Sequence, residues 1–385
     1  MKAFTFSVPQ EIIFGSGSLN RLPELLKKQN AARVLLISGP HLNKMGVVGR
    51  LRDSIVSAGA ACETFTDVEA NPSMETVEKA AAAYHAFGAD AIVAIGGGSP
   101  MDVAKAVGVV VTYGGSIAQY EGVGTVPGPI VPLIAIPTTA GTGSEVTTFS
   151  VITDHSRNYK LTVGSQYLIP RCALLDPELL TTTPAGVAAA CGMDALVHAL
   201  EAYLSRAASP FSDAMAEKAL ALIGRSLRAF VADRANLEAA SDMLAGSLFA
   251  GIAFSWARLG NVHAMAHPLG GFFNVPHGLA NAILLPVVVD YNAIADHDGK
   301  YETIYRAVAA SPKAEFSQEM LADELRRLAA RIGIPATLAE VGVDAEKIPE
   351  MAADAMKSGN IYVNPRTSTQ KDIEQLYRRA MGDKT

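Results

Sequence analysis

The sequence predicts an α/β domain built on a parallel sheet, followed by an all-α domain. Three observations carry that prediction. Short apolar runs alternate with helix-like segments through the first half of the chain. Two of those runs end in turns rich in glycine and hydroxyl residues. Beyond Asp176-Pro177 the segments become long, Ala-rich and helical. A length of 385 residues suits two domains at roughly 100–200 residues each. The expected division is residues 1–183 and 184–385.

The elements follow in order. Residues 32–37 (ARVLLI) form a short β-branched run that reads as a buried strand. Residues 45–58 suit a helix and residues 62–65 (CETF) the next strand. Residues 74–87 suit another helix, with Asn71-Pro72-Ser73 as its start signal. Residues 89–95 (ADAIVAI) are a strand, residues 101–111 a helix, and residues 133–136 (LIAI) a strand ending at Pro137. This β-α-β-α order implies a parallel sheet covered on both faces. In the second half, helices are expected over residues 184–204, 212–233, 237–257, 317–332 and 371–381. Residues 283–289 (ILLPVVV) are apolar and β-branched, but Pro286 interrupts them. A central strand is disfavoured there, and a kinked or newly started helix is the alternative.

Composition excludes several classes. Apolar residues make up 49% and charged residues 18%, too apolar for a disordered chain. The net charge of −6 gives no basic footprint for nucleic acid. Cys62, Cys172 and Cys191 are scattered, odd in number and form no C-x-x-C, which suits a reduced, cytoplasmic protein. The opening MKAFTFSVPQ lacks a signal-peptide core. No uninterrupted run of about 18 apolar residues occurs, so no membrane span is expected.

The first chemical signal is Gly96-Gly97-Gly98-Ser99-Pro100-Met101-Asp102, between a predicted strand and a predicted helix. Glycines let the backbone approach an anion closely, and a helix N-terminus offers free N–H groups and the positive dipole end. Asp102 would compete with phosphate, so it should cap the helix or accept from a ribose or nicotinamide group. A second such turn, Pro137-Thr138-Thr139-Ala140-Gly141-Thr142-Gly143-Ser144-Glu145, follows the strand at 133–136. In parallel sheets ligands bind at the carboxyl ends of strands, which is where both turns fall. The G-x-G-x-x-G fingerprint of ordinary dinucleotide-binding domains is absent.

The second signal is a carboxylate and a set of histidines. Asp194 and His198 are four apart in an apolar segment, on one face if helical. His263 and His267 are again four apart, and His277 follows at a helix start. A buried carboxylate and imidazoles are costly unless paired or bound to metal. One carboxylate with several imidazoles suits iron(II) or zinc(II). Spacing leaves open which three histidines ligate, since His267 can replace His263.

These residues bring a known family into view. GGGSPMDVAKA (96–106), PTTAGTGSEVT (137–147), GMDALVHALEAY (192–203), HAMAHPLGGFFNVPHGLANAILLP (263–286) and NPR (364–366) resemble the iron-dependent, group III alcohol dehydrogenases along essentially the whole chain. The resemblance implies a dehydroquinate-synthase-like fold with a nucleotide-binding α/β domain, a helical metal domain and an active cleft between them. It implies metal ligands Asp194, His198, His263 and His277, with His267 a non-ligand beside the metal; acid–base chemistry makes His267 the candidate for passing the released proton towards solvent. It implies cofactor contacts from Asn71, Gly97, Gly98, Ser99, Asp102, Thr138, Thr139, Thr147, Phe149, Lys160 and Leu179, and pocket walls from Val151, Phe254 and Tyr362. The implied reaction is hydride transfer between NAD or NADP and a small aliphatic alcohol or aldehyde, with iron(II) ahead of zinc(II), in a homodimer or larger homo-oligomer.

Two departures stand out. NAD-preferring members commonly carry an aspartate where this chain has Gly39, so NADP is expected to be tolerated. Val287 stands where many members have a histidine, which removes a titratable group but no ligand. A dehydroquinate-synthase-like lyase would need Lys or Arg for a phosphorylated substrate, and residues 192–203 and 263–286 contain none. A non-catalytic nucleotide- or metal-binding protein is the other alternative, against which the four ligand-type residues argue.

Overall fold

Strand order is what brings the two glycine turns side by side. The computed structural model describes residues 3–8, 10–157, 159–296 and 298–382. The chain divides into two units, one of Val8–Thr139 and Ser144–Leu180, the other of Met1–Ser7, Ala140–Gly143 and Thr181–Thr385.

The first unit holds β1 (Glu11–Phe14), β2 (Arg33–Ile37), β3 (Ala61–Phe65), β4 (Ala91–Gly96), β5 (Gly122–Val123), β6 (Leu133–Pro137), β7 (Phe149–Asp154), β8 (Tyr159–Gly164) and β9 (Cys172–Leu175). Six of these form one sheet in the order β1-β9-β6-β4-β2-β3, with every pairing parallel. β4, β6 and β9 are buried throughout, as strands covered on both faces must be.

Alternate residues show the two faces. Leu35, Ile37, Ile92 and Ala94 enter one core with Val77, Ala80 and Val103. Val34, Leu36, Val93 and Ile95 enter the other with Leu25, Leu51 and Ile55. The first face is covered by α4 (Met74–Phe87) and α5 (Gly98–Tyr113), and the second by α1 (Leu22–Lys28) and α3 (Val47–Ser57), with α2 (Pro40–Lys44) between β2 and α3. The start signal at 71–73 acts as read: the Ser73 side chain accepts from Thr76 N and caps α4.

A small sheet, β5-β8-β7, adds an antiparallel β7–β8 pair, from Phe149↔Gly164 to Asp154↔Tyr159. It lies outside the alternating β-α pattern and the sequence reading did not anticipate it.

The second unit holds α6 (Ala185–Leu204), α7 (Pro210–Ala232), α8 (Leu237–Ala257), α9 (Asn261–Phe273), α10 (His277–Asn292), α11 (Lys300–Val308), α12 (Gln318–Arg331), α13 (Ile348–Ala355) and α14 (Gln370–Met381). Residues 283–289 are resolved as helix, inside α10, with Pro286 within it. The Tyr377 hydroxyl on α14 donates to Met265 O on α9 at 2.6 Å, both groups buried.

α6, α8 and α10 are each long and apolar enough to cross a membrane by length and composition. The reason is packing within the protein: 78%, 67% and 56% of those windows are buried, and α6 packs against both α8 and α10.

Candidate metal centre and nucleotide-binding edge

Helical spacing puts Asp194, His198 and Glu201 on one face of α6, at i, i+4 and i+7. His263 sits in the first turn of α9 and His277 opens α10. The Nε2 atoms of His263, His277 and His198 lie 3.7, 3.8 and 3.9 Å from one atom, Asp194 Oδ1. Asp194, His198 and His263 are buried, and His277 keeps its side chain 28% exposed. His267 stands apart from this convergence, its ring centroid 5.7 Å from that of His277. Phe254 stacks on His198 at 4.4 Å between centroids.

Donors and charges describe what such a site accepts. Asn281 Nδ2 donates to Asp194 Oδ1 at 2.6 Å and faces Nε2 of His263 and of His277 at 3.1 Å each. The Asn281 amide nitrogen thus sits where Asp194, His263 and His277 meet. Burial would raise the Asp194 carboxyl, but the imidazoles of His198, His277 and His263 hold it well below the usual carboxylate range. Burial pushes His198 down to about 4. Against burial, Asp194 and Glu201 hold His263 up to about 9. A buried carboxylate with three imidazoles around one of its oxygens fits a divalent first-row cation.

The nucleotide edge is built from backbone. Gly97 caps α5 with no side-chain hydrogen bond, so the amides that follow, at Gly98 and Ser99, point from a helix N-terminus. Thr138 N donates to Gly96 O at 2.9 Å, tying the ends of β4 and β6 together. A Cβ on Gly97 would lie 3.3 Å from Thr139 Oγ1. These six residues share the carboxyl end of the sheet. Asn71, at φ 54, accepts from Lys160 Nζ at 2.6 Å through Oδ1.

Asp102 does not cap α5. It accepts from Ser144 Oγ at 2.7 Å and Val151 N at 3.2 Å, and burial raises its carboxyl. Lys105, one turn on and fully buried, donates to Ser144 Oγ, Thr147 O, Thr147 Oγ1 and Phe149 O at 2.8–3.1 Å. Burial lowers Lys105 to about 8 and raises the neighbouring Glu145 to about 7.

Sequence reasoning missed Lys105, Glu145, Asn281 and Glu201. The signal for Lys105 and Glu201 was a second charge inside an otherwise apolar helix, beside Asp102 and Asp194 respectively.

The remaining residues are placed as follows. Gly39 caps α2 at φ −95, and Leu179 packs against the α1/α3 core. The Tyr362 ring, read as a pocket wall, stands on the surface at 70% exposure.

Comparison with known proteins identifies the family. A family model described as iron-containing alcohol dehydrogenase matches residues 9–177, and one described as the C-terminal part of the Fe-containing alcohol dehydrogenase family matches residues 188–381. The 1,3-propanediol dehydrogenase of Citrobacter freundii is 38% identical over 384 residues, 98% of this chain and 99% of that one. The NAD-dependent methanol dehydrogenase of Bacillus methanolicus is 36% identical over 379 residues, 98% and 99% of the two chains. A solved 1,3-propanediol oxidoreductase superposes with a TM-score of 0.94 at 39% identity, over 98% of this chain and 100% of that one. The chain belongs to the iron-containing alcohol dehydrogenase family, and is an alcohol/aldehyde oxidoreductase that uses NAD and a metal ion.

Proposed function

We propose that this chain interconverts a short aliphatic alcohol, or a diol, with its aldehyde, at a divalent cation held by Asp194, His198, His263 and His277. The observation that carries the reading is the convergence of three Nε2 atoms on one buried carboxylate oxygen. The donor set serves both iron(II) and zinc(II), and the family favours iron(II). The similarity to a propanediol dehydrogenase supports the diol.

When bound, the two groups supply the chemistry: the cation offsets negative charge on the substrate oxygen, and the nicotinamide exchanges hydride with the substrate carbon. The chain's own residues do the rest. Asp194 brings a negative charge to the cation in surroundings where charge interactions are strong. Phe254 walls the His198 side of the pocket. His267, partly exposed and next to His277, passes the proton between the site and solvent. Gly97, Gly98 and Ser99 take the pyrophosphate on the α5 N-terminus, with Thr138 and Thr139 beside them. Asn71, Asp102, Thr147, Phe149, Lys160 and Leu179 complete the nucleotide contacts.

Gly39 supports tolerance of NADP, because no carboxylate there repels a 2′-phosphate. Phe4 and Phe211, both exposed and 5.7 Å apart between ring centroids, support self-association as a homodimer or larger, which sizing under native conditions reads directly. The free thiols of Cys62, Cys172 and Cys191 support a cytoplasmic setting.

The test is elemental analysis of anaerobically purified protein, paired with reduced-nicotinamide absorbance across a panel of alcohols, diols and aldehydes. The expected result is one iron per chain and turnover with short substrates. Protein that retains no divalent metal after reconstitution, or turns over none of the panel, overturns the proposal.

A further inference from the structure

We propose that Glu201 is a positioning residue of the metal centre. Its carboxylate holds His263 in the tautomer and orientation that present Nε2 to the cation. This rests on the reading of His263 as a ligand.

The argument begins at the N-terminus of α9. A helix start leaves backbone N–H groups without partners, and the residue before this one, Gly260, offers no side chain to take them. Glu201 takes them instead. Its Oε1 accepts from Val262 N at 2.7 Å and its Oε2 from His263 N at 3.4 Å. The same Oε2 accepts from His263 Nδ1 at 2.6 Å. One carboxylate therefore fixes both the backbone and the ring of one ligand. With Nδ1 carrying the proton, Nε2 is left with its lone pair, 3.7 Å from Asp194 Oδ1.

Burial says that this contact is specific. Glu201 is 5% exposed, and a carboxylate so buried is stabilised only by charge-assisted hydrogen bonds and by the positive end of a helix, both present here. The approach is close enough to need glycine: a Cβ on Gly260 would lie 2.9 Å from Glu201 Oε1. A carboxylate on the far nitrogen of a ligating imidazole fixes the ring and raises its basicity. His198 differs, since its Nδ1 faces a neutral acceptor, Gly141 O, at 3.2 Å.

Asn364 completes the grip. Its Oδ1 accepts from Asn261 N at 3.2 Å, and its amide donates to Asn292 Oδ1 at 2.8 Å and to Arg366 O at 2.6 Å. The NPR turn, which the chemistry alone left without a task, thus pins the same helix end while leaving the imidazole untouched.

The experiment measures Co(II) binding to metal-stripped, full-length protein by chelator competition and visible absorption. Glu201→Gln cannot accept at both positions, so either the backbone or the ring contact is lost. We expect Co(II) affinity to fall about 10–100-fold with an altered visible band. Asn364→Ala should weaken Co(II) less and leave the band unchanged. Wild-type affinity and spectrum in Glu201→Gln overturn the proposal, as does an equal spectral change in Asn364→Ala.

Melting of the metal-free proteins separates this loss from unfolding. If Glu201→Gln does not fold, ¹⁵N-histidine NMR of the Zn(II)-loaded wild type decides: a His263 Nδ1 without a proton overturns the assignment. Asp194→Ala tests the underlying reading. Wild-type Co(II) affinity in that variant removes the ligand set itself, whatever Glu201 does.

Discussion

The metal centre and the nucleotide edge recognise their ligands by opposite means. In the helical unit, side chains from α6, α9 and α10 converge on Asp194 Oδ1 within 3.9 Å, and each is specified by its residue type. In the α/β unit, the helix N-terminus proposed to take a dinucleotide presents backbone amides after Gly97, with no side-chain cap. A centre of the first kind fails when one donor is removed. An edge of the second kind fails when a side chain is added where none was.

Four substitutions break or sharpen this contrast. The largest effect is expected from Asp194→Ala. Loss of several kcal/mol of charge stabilisation means a fall in kcat/KM of about 10³-fold or more, with metal content falling in parallel. The dissociation constant for NAD should stay near wild type, and an equal fall in cofactor affinity would erase the contrast. His267→Ala comes next. Turnover should drop about 10²-fold while metal content stays at one ion per chain; metal lost to the same extent would make His267 a ligand.

Gly39→Asp tests the edge by addition. The backbone there has φ −95, open to any residue, and a Cβ would lie 3.2 Å from Val68 O, so only a small shift is needed. Like charges a few ångströms apart near a surface repel by several kcal/mol. The NADP-to-NAD ratio of kcat/KM should therefore fall at least about tenfold, with metal content unchanged. An unchanged ratio removes Gly39 from the cofactor argument.

The smallest effect concerns the buried charges under the edge. Glu145 titrates at about 7 in the folded chain, above its unfolded value near 4.5. The folded state then holds more protons between those values, so this contribution to stability is full below pH 4.5 and is lost as pH rises through 7. Glu145→Gln should flatten that part of the profile, read as urea midpoints at pH 5 and 7.5. An identical slope in both proteins would show that Glu145 does not titrate in this window.

Side-chain signals and backbone signals were not equally legible in the sequence. The central strands announced themselves because full burial makes them unbroken apolar runs. Asp194 and His198 were visible as a pair because helical spacing alone brings them to one face. Choosing between His263 and His267 needed the position of α6, since both lie at helical spacing on α9. Glu201 was hidden for a related reason. Its partners are some 60 residues away, and an acidic residue in an apolar helix does not say which group it meets. Lys105 was hidden likewise, since its acceptors lie on the far side of β6 in the chain. The β7–β8 pair escaped because the reading sought parallel crossovers, whereas this pair closes on itself.

The Tyr377–Met265 hydrogen bond has a consequence for how the enzyme matures. α9 carries His263, and one of its carbonyls is held by a residue near the end of the described chain. During synthesis, a domain orders only as its contacts leave the ribosome. The α/β sheet can assemble early, from residues already released, but the helix bearing His263 is not clamped until position 377 has emerged. The clamp on the helix bearing His263 is thereby formed only once α14 is free to pack on α9.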